Sequence, residues 1–204
     1  MISLTTHSKS NINTRTVRLA IRPLKYRSLP DLLSHLPITE EDPPTAEIIK
    51  RLRHVKHDRE LSRREFLDIC RWKSPRSIRL CERNSASVVE NTSRRVFATR
   101  NEKVRFELLT SLHGVSAPTA SAILTLTNPR NYGVIDIRVW QLLYALKSVK
   151  ENHRGQGFTS SHWYHYLKIL RLHARRLKVS VRLVELTLFN FHRDHQSGSL
   201  YYSK

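Results

Sequence analysis

Asp136 is the residue whose type and setting point most directly to chemistry. It stands in the run Val134-Ile135-Asp136-Ile137-Arg138-Val139, ahead of Val139, Trp140, Leu143 and Leu146, whose spacing predicts a helix over 136–147. A carboxylate at a helix start is kept ionised by the helix dipole. An ionised carboxylate in a site can stabilise developing positive charge and orient an attacking water. Aspartate is also an ordinary helix N-cap, and the residue type alone fits both roles. Upstream, Val104, Leu108, Leu109 and Leu112 form an apolar stripe that ends at His113-Gly114-Val115-Ser116, a tight turn in which glycine supplies positive φ. Pro118, Thr119 and Ala120 then open a second helix whose buried side is Ile123, Leu124 and Leu126. The stretch 104–127 therefore reads as helix, hairpin, helix, followed by the helix that carries Asp136.

These residues resemble the helix-hairpin-helix DNA glycosylase superfamily, the base-excision enzymes related to endonuclease III. Leu112, Gly114, Val115, Thr119 and Ala120 match the hairpin pattern L-P-G-V-G-x-K-T-A, while Ser116 replaces its second glycine and Pro118 stands in the lysine column. Asp136 lies 18 residues beyond that column, where the family places its catalytic aspartate. The resemblance implies that Asp136 is catalytic and that the hairpin offers backbone N–H groups to a DNA phosphate. It assigns DNA contacts to His113, Gly114, Val115, Ser116, Thr119 and Arg138. It allows a monovalent cation on the hairpin carbonyls and calls for no other cofactor and no metal. With Pro118 in the lysine column, base release is expected by hydrolysis, without strand cleavage through an amine. Trp72-Lys73-Ser74-Pro75-Arg76 falls where the family sets a helix start against the base pocket, so Trp72, Lys73 and Arg76 are its pocket candidates. The bland alternative is that Trp72 closes the core while Lys73 and Arg76 are solvated.

The global composition agrees with a polyanionic partner. Lys+Arg number 36 against 17 Asp+Glu, a formal net charge of +19, which suits nucleic acid. Arg94, Arg95, Arg100, Lys103, Arg105, Arg130, Arg138, Lys147 and Lys150 surround the motif in sequence and are expected to face a duplex in part. No apolar run approaches the length of a membrane-spanning helix, so integral insertion is excluded. Cys70 and Cys81 form no C-x-x-C pair and cannot build the Fe–S cluster of some relatives; they read as reduced intracellular thiols. His162 and His165 are spaced for one helix face, but no third ligand stands near them.

Along the chain, residues 1–30 lack any acidic residue and read as a basic arm, with Val17, Leu19 and Ile21 alternating as in a short strand; a targeting segment is the alternative. Leu29 to Thr45, with four prolines and Glu40-Glu41-Asp42, reads as linker and turn, so that 1–45 is arm and linker and 46–204 is the helical domain. Ala46–Val55 is a basic helix. Ser62-x-x-Glu65 and Thr99-x-x-Glu102 are capping boxes, and Ser85 and Ser180 are further helix starts. Trp163, Leu167, Leu170, Ala174 and Leu177 mark an amphipathic helix, with Trp163 in the core.

The expectation is an all-α, two-lobed helical bundle containing a helix-hairpin-helix motif. The function that follows is a monofunctional DNA glycosylase, monomeric, intracellular and associated with double-stranded DNA. A non-catalytic helix-hairpin-helix DNA-binding protein is the alternative; a carboxylate at the Asp136 column separates the two. A basic RNA-associated protein is a third reading, resting on charge and the acid-free N-terminus alone.

Overall fold

The computed structural model describes residues 19–201. The expected basic arm lies largely outside the described residues. Within them the protein is all-α: α1 (Leu29–His35), α2 (Pro43–Arg51), α3 (Val55–Asp58), α4 (Arg63–Lys73), α5 (Ile78–Cys81), α6 (Ala86–Ala98), α7 (Glu102–Thr110), α8 (Ala117–Thr127), α9 (Ile137–Ala145), α10 (Ser160–Leu177) and α11 (Val181–Asp194).

α8 is the axis of the molecule. It carries no charged side chain and is buried from Thr119 to Leu126, as a helix apolar on all sides must be. α4 and α7 pack on it, α6 packs on α4 and α7, and the central helices form one body. α9 and α10 pack on α11, and α10 reaches back to α7. Trp163 is fully buried and stacks near Phe106 and Tyr132, so it joins the two groups as core.

The first described residues pack against the C-terminal helices. Ile21 pairs antiparallel with Gln196, Ala20 N–H donates to Gln141 Oε1 at 3.0 Å, and Thr39 N–H donates to Thr187 Oγ1 at 2.9 Å. The segment Leu29–Thr45 is folded where linker was expected. Ser28 caps α1 with Pro30 in its first turn, and Asp42 caps α2, which opens on Pro43-Pro44. These prolines start helices because a first-turn N–H has no intrahelical partner to lose.

Local signals held at Ser62, whose capping box with Glu65 is formed, and at Ser85 and Ser180, which cap α6 and α11. The box expected at Thr99 is not formed. Asn101 caps α7 instead, accepting from Lys103 and Val104 N–H, and Glu102 becomes the first helical residue. The register shift turns Val104 toward solvent and buries Phe106 and Leu109.

Candidate active site

Asp136 is delivered by a short extended strap, Gly133–Ile135, fastened on three sides. Val134 N–H donates to Glu185 Oε2 of α11 at 3.2 Å, Tyr166 Oη of α10 donates to Val134 O at 2.7 Å, and Ile135 N–H donates to Ser121 Oγ of α8 at 3.0 Å. Gly133 permits this closeness, since a Cβ there would stand 2.8 Å from Glu185 Cβ. Asp136 then caps α9, its Oδ1 accepting from Arg138 N–H at 2.9 Å.

Its other oxygen does something the sequence pattern did not specify. Lys73, the last residue of α4, places Nζ 2.9 Å from Asp136 Oδ2, with side chains only 18% and 13% exposed. Burial pushes the Asp136 carboxyl up, but the Lys73 charge, the Arg138 N–H and the Arg138 charge outweigh it and hold the group below its ordinary range. The result is a shielded carboxylate that is ionised and fixed in direction.

Two cavities meet at this pair. One, of about 460 Å³, lies between α4, α11 and the start of α2; Trp72, Phe189, Glu185 and Asn190 are among its walls. The other, of about 810 Å³, lies between the turn before α8 and the loop at Gly155–Phe158, with Ser116, Ala117 and Pro118 on one side. Lys73 and Asp136 line both.

The turn between α7 and α8 is braced rather than loose. Asn84, buried behind it, donates through Nδ2 to Cys81 O and His113 O and accepts from His113 N–H at 3.0 Å. Gly114 takes φ +75°, and any Cβ would lie 2.7 Å from Cys81 N. Val115 N–H is used internally, on Leu112 O. The N–H groups of Gly114 and Ser116 donate to nothing within the described residues, and Ser116 makes no side-chain cap bond to α8. Open N–H groups at the start of an eleven-residue helix form an anion-binding arrangement. The carbonyls offer less to a cation, because Leu112 O and His113 O already accept hydrogen bonds.

The other expected site residues divide. Trp72 reaches the smaller cavity and is held there, its Nε1 donating to Thr45 Oγ1 at 3.0 Å and its ring 5.6 Å from the Arg182 guanidinium. Arg76 is exposed on the turn before α5 and lines neither cavity. Thr119 is fully buried, its Oγ1 3.3 Å from Ser116 Oγ. Arg138 points its guanidinium at the segment after α11, 3.1 Å from Gln196 Oε1 and over the Phe189 ring. Thr119 is thus enclosed, while Arg138 engages Nη2 and leaves Nε without a partner. Among the flanking cations, Arg105 is internal, hydrogen-bonded to Thr99 O, Val96 O and Tyr132, and Arg94 pairs with Glu60.

The sequence reading missed the wall supplied by α11. Arg182 is buried, paired through Nε and Nη2 with Glu41 and through Nη1 with Glu185. Burial pushes the Glu185 carboxyl up against the opposing pull of Arg182. The available signal was two opposite charges three apart on the apolar face of an otherwise core helix. His162 is engaged in the cap of α10 with Thr159, and among the described residues no three His, Cys, Asp or Glu side chains are grouped as metal ligands. Nor does any described helix have the length and apolarity to cross a membrane.

Compared with protein-family models, curated proteins and solved structures, the chain matches none.

Proposed function

We propose that this protein is a DNA glycosylase that hydrolyses the N-glycosidic bond of a damaged or modified base in double-stranded DNA. The observation that carries the reading is the shielded Lys73–Asp136 pair at the junction of two cavities, 2.9 Å between Nζ and Oδ2. The smaller cavity takes the extruded base, the larger takes the strand it left, and the sugar lies between them beside Asp136. The departing base leaves oxocarbenium character at C1′. Asp136, ionised and fixed by Lys73 and by Arg138 N–H, stabilises that charge and orients the water that attacks it. The pair needs no solvent reorganisation as the charge develops.

Strand binding falls to the open N–H groups of Gly114 and Ser116, directed at a phosphate, and to the net charge of +19. Lys73 is the lysine at the site, and its Nζ is tied to Asp136 Oδ2. Its part is to hold Asp136, so the abasic strand is released intact. A second reading, a catalytically silent DNA-binding protein, is favoured by the cap bond, because Asp136 Oδ1 already has the structural task of closing α9.

Incubation with duplexes carrying different modified bases, followed by detection of abasic sites, tests the proposal. Release of one or more bases, abolished in Asp136→Asn, is the expected result. Tight duplex binding with no release across a broad panel would favour the silent binder.

A further inference from the structure

We infer that Arg76, Arg79 and Arg83 form a phosphate-binding ridge beside the turn at Gly114, and that this ridge carries the salt-dependent part of duplex binding. The inference rests on the duplex-binding part of the proposed function and assigns that part to residues that line neither of the two cavities. A helical turn at Pro75–Ser77 leads into α5. The three arginines stand three and four residues apart along this run and the turn that ends it, and all are exposed. Such spacing sets neighbouring side chains on one face, about 5–6 Å apart at Cβ. Among the described residues none of the three guanidinium groups has a hydrogen bond or an ion pair. Glu82, the only carboxylate of the run, faces Arg71 at 3.6 Å.

The ridge is joined to the turn by direct contact. Gly114 lets the backbone close on α5 so tightly that a Cβ would lie 2.7 Å from Cys81 N and 2.9 Å from Leu80 Cβ. Asn84, just beyond Arg83, holds both His113 N–H and His113 O. Ser74, just before the run, lines the larger cavity together with Ser116 and Ala117. The arginines therefore extend from the rim of the cavity assigned to the strand to the turn assigned to its phosphate. The two elements hold a backbone by different physics. The N–H groups of Gly114 and Ser116 are neutral and orient a phosphate without releasing a counterion, whereas each guanidinium that neutralises a phosphate releases one. Arg95, Arg100 and Lys103 are equally exposed but stand around the start of α7, about 13 Å of helix away from the turn. They serve as a matched control.

Duplex affinity of the full chain, measured against salt concentration, tests the assignment. Replacing all three ridge arginines by glutamine should make the slope of log affinity against log salt shallower by about 2.7, at about 0.9 for each phosphate, with the melting temperature unchanged. Lysine at the same three positions keeps the charge and should restore the slope. Arg95→Gln, Arg100→Gln and Lys103→Gln together remove the same charge and should move the slope by less than about one-third as much. Equal shifts in the two glutamine variants, or a ridge variant with the wild-type slope, overturn the inference and leave duplex binding standing. A wild type without affinity for duplex DNA overturns the inference together with the function on which it rests.

Discussion

Lys73 Nζ and Asp136 Oδ2 lie 2.9 Å apart although 63 residues separate them in the chain, and the contact joins the C-terminal end of α4 to the N-terminal start of α9. The cation stands at the negative end of one helix dipole and the carboxylate at the positive end of the other, so each helix favours its own member of the pair.

Asp136→Asn keeps one oxygen for the cap of α9, turns its amide NH2 toward Lys73 and removes the charge. Excision should drop by roughly 10² or more while duplex affinity persists. Single-turnover kinetics and a binding titration on the same preparation check this, and undiminished excision would leave Asp136 as a cap alone.

Base release should leave the strand intact until alkali is added, and borohydride should trap no adduct. A trapped adduct that disappears in Lys73→Ala would transfer the leading role from water to the Lys73 amine.

Ser116→Pro isolates the turn from the fold. Ser116 has φ −84°, which proline adopts, and its N–H has no internal partner to lose. Melting temperature should drop only by the share of the lost Ser116 Oγ–Thr119 Oγ1 bond, whereas duplex affinity should fall at every salt concentration with the slope of log affinity against log salt unchanged, since a neutral N–H releases no counterion. Unchanged affinity would mean that this N–H meets no phosphate.

His192 of α11 is fully buried with neither ring nitrogen hydrogen-bonded, and Arg138 Nε is unpartnered as well. Burial, reinforced by the Arg138 charge, holds the imidazole down at about 4 against an ordinary 6.5. A depressed value means that the stability contributed by neutral His192 is complete above 6.5 and is lost as pH falls through about 4. The melting temperature should therefore fall more steeply over that interval in the wild type than in His192→Leu, with carboxylate contributions common to both. At neutral pH the leucine variant should be as stable or more so, since it removes two unsatisfied polar atoms. Parallel curves would show that His192 is hydrated in the fold.

What was legible in the sequence was local or periodic. The box at Ser62, the caps at Ser85 and Ser180, the glycine turn at Gly114 and the stripe through Trp163 each depend on residues within a few positions of one another. Misreadings arose where two local signals compete. Pro30, Pro43 and Pro44 read as breakers though each sits in a first helical turn, and Thr99 lost its capping role to Asn101, whose side chain reaches two free N–H groups. Asp136 stood out through its match to a family pattern and its place at a helix start, both of which lie within one stretch of sequence. Its partner Lys73, the brace at Asn84 and the buried triad of Glu41, Arg182 and Glu185 are products of packing between distant segments, and no window of sequence contains both ends of any of them.

The smaller cavity draws one wall from Glu40, Asp42 and Thr45 and another from α11, so it is closed by the start of α2 and by the last helix of the described chain. During synthesis the turn at Gly114, its Asn84 brace and the helix α8 are all complete well before α11 leaves the ribosome. On the proposed reading, a nascent chain would complete the turn assigned to the strand long before the cavity assigned to the base. Contacts spanning 141 residues, as between Glu41 and Arg182, are the slowest kind to form. On the proposed reading excision would require α11, because a chain truncated before it lacks one wall of the smaller cavity.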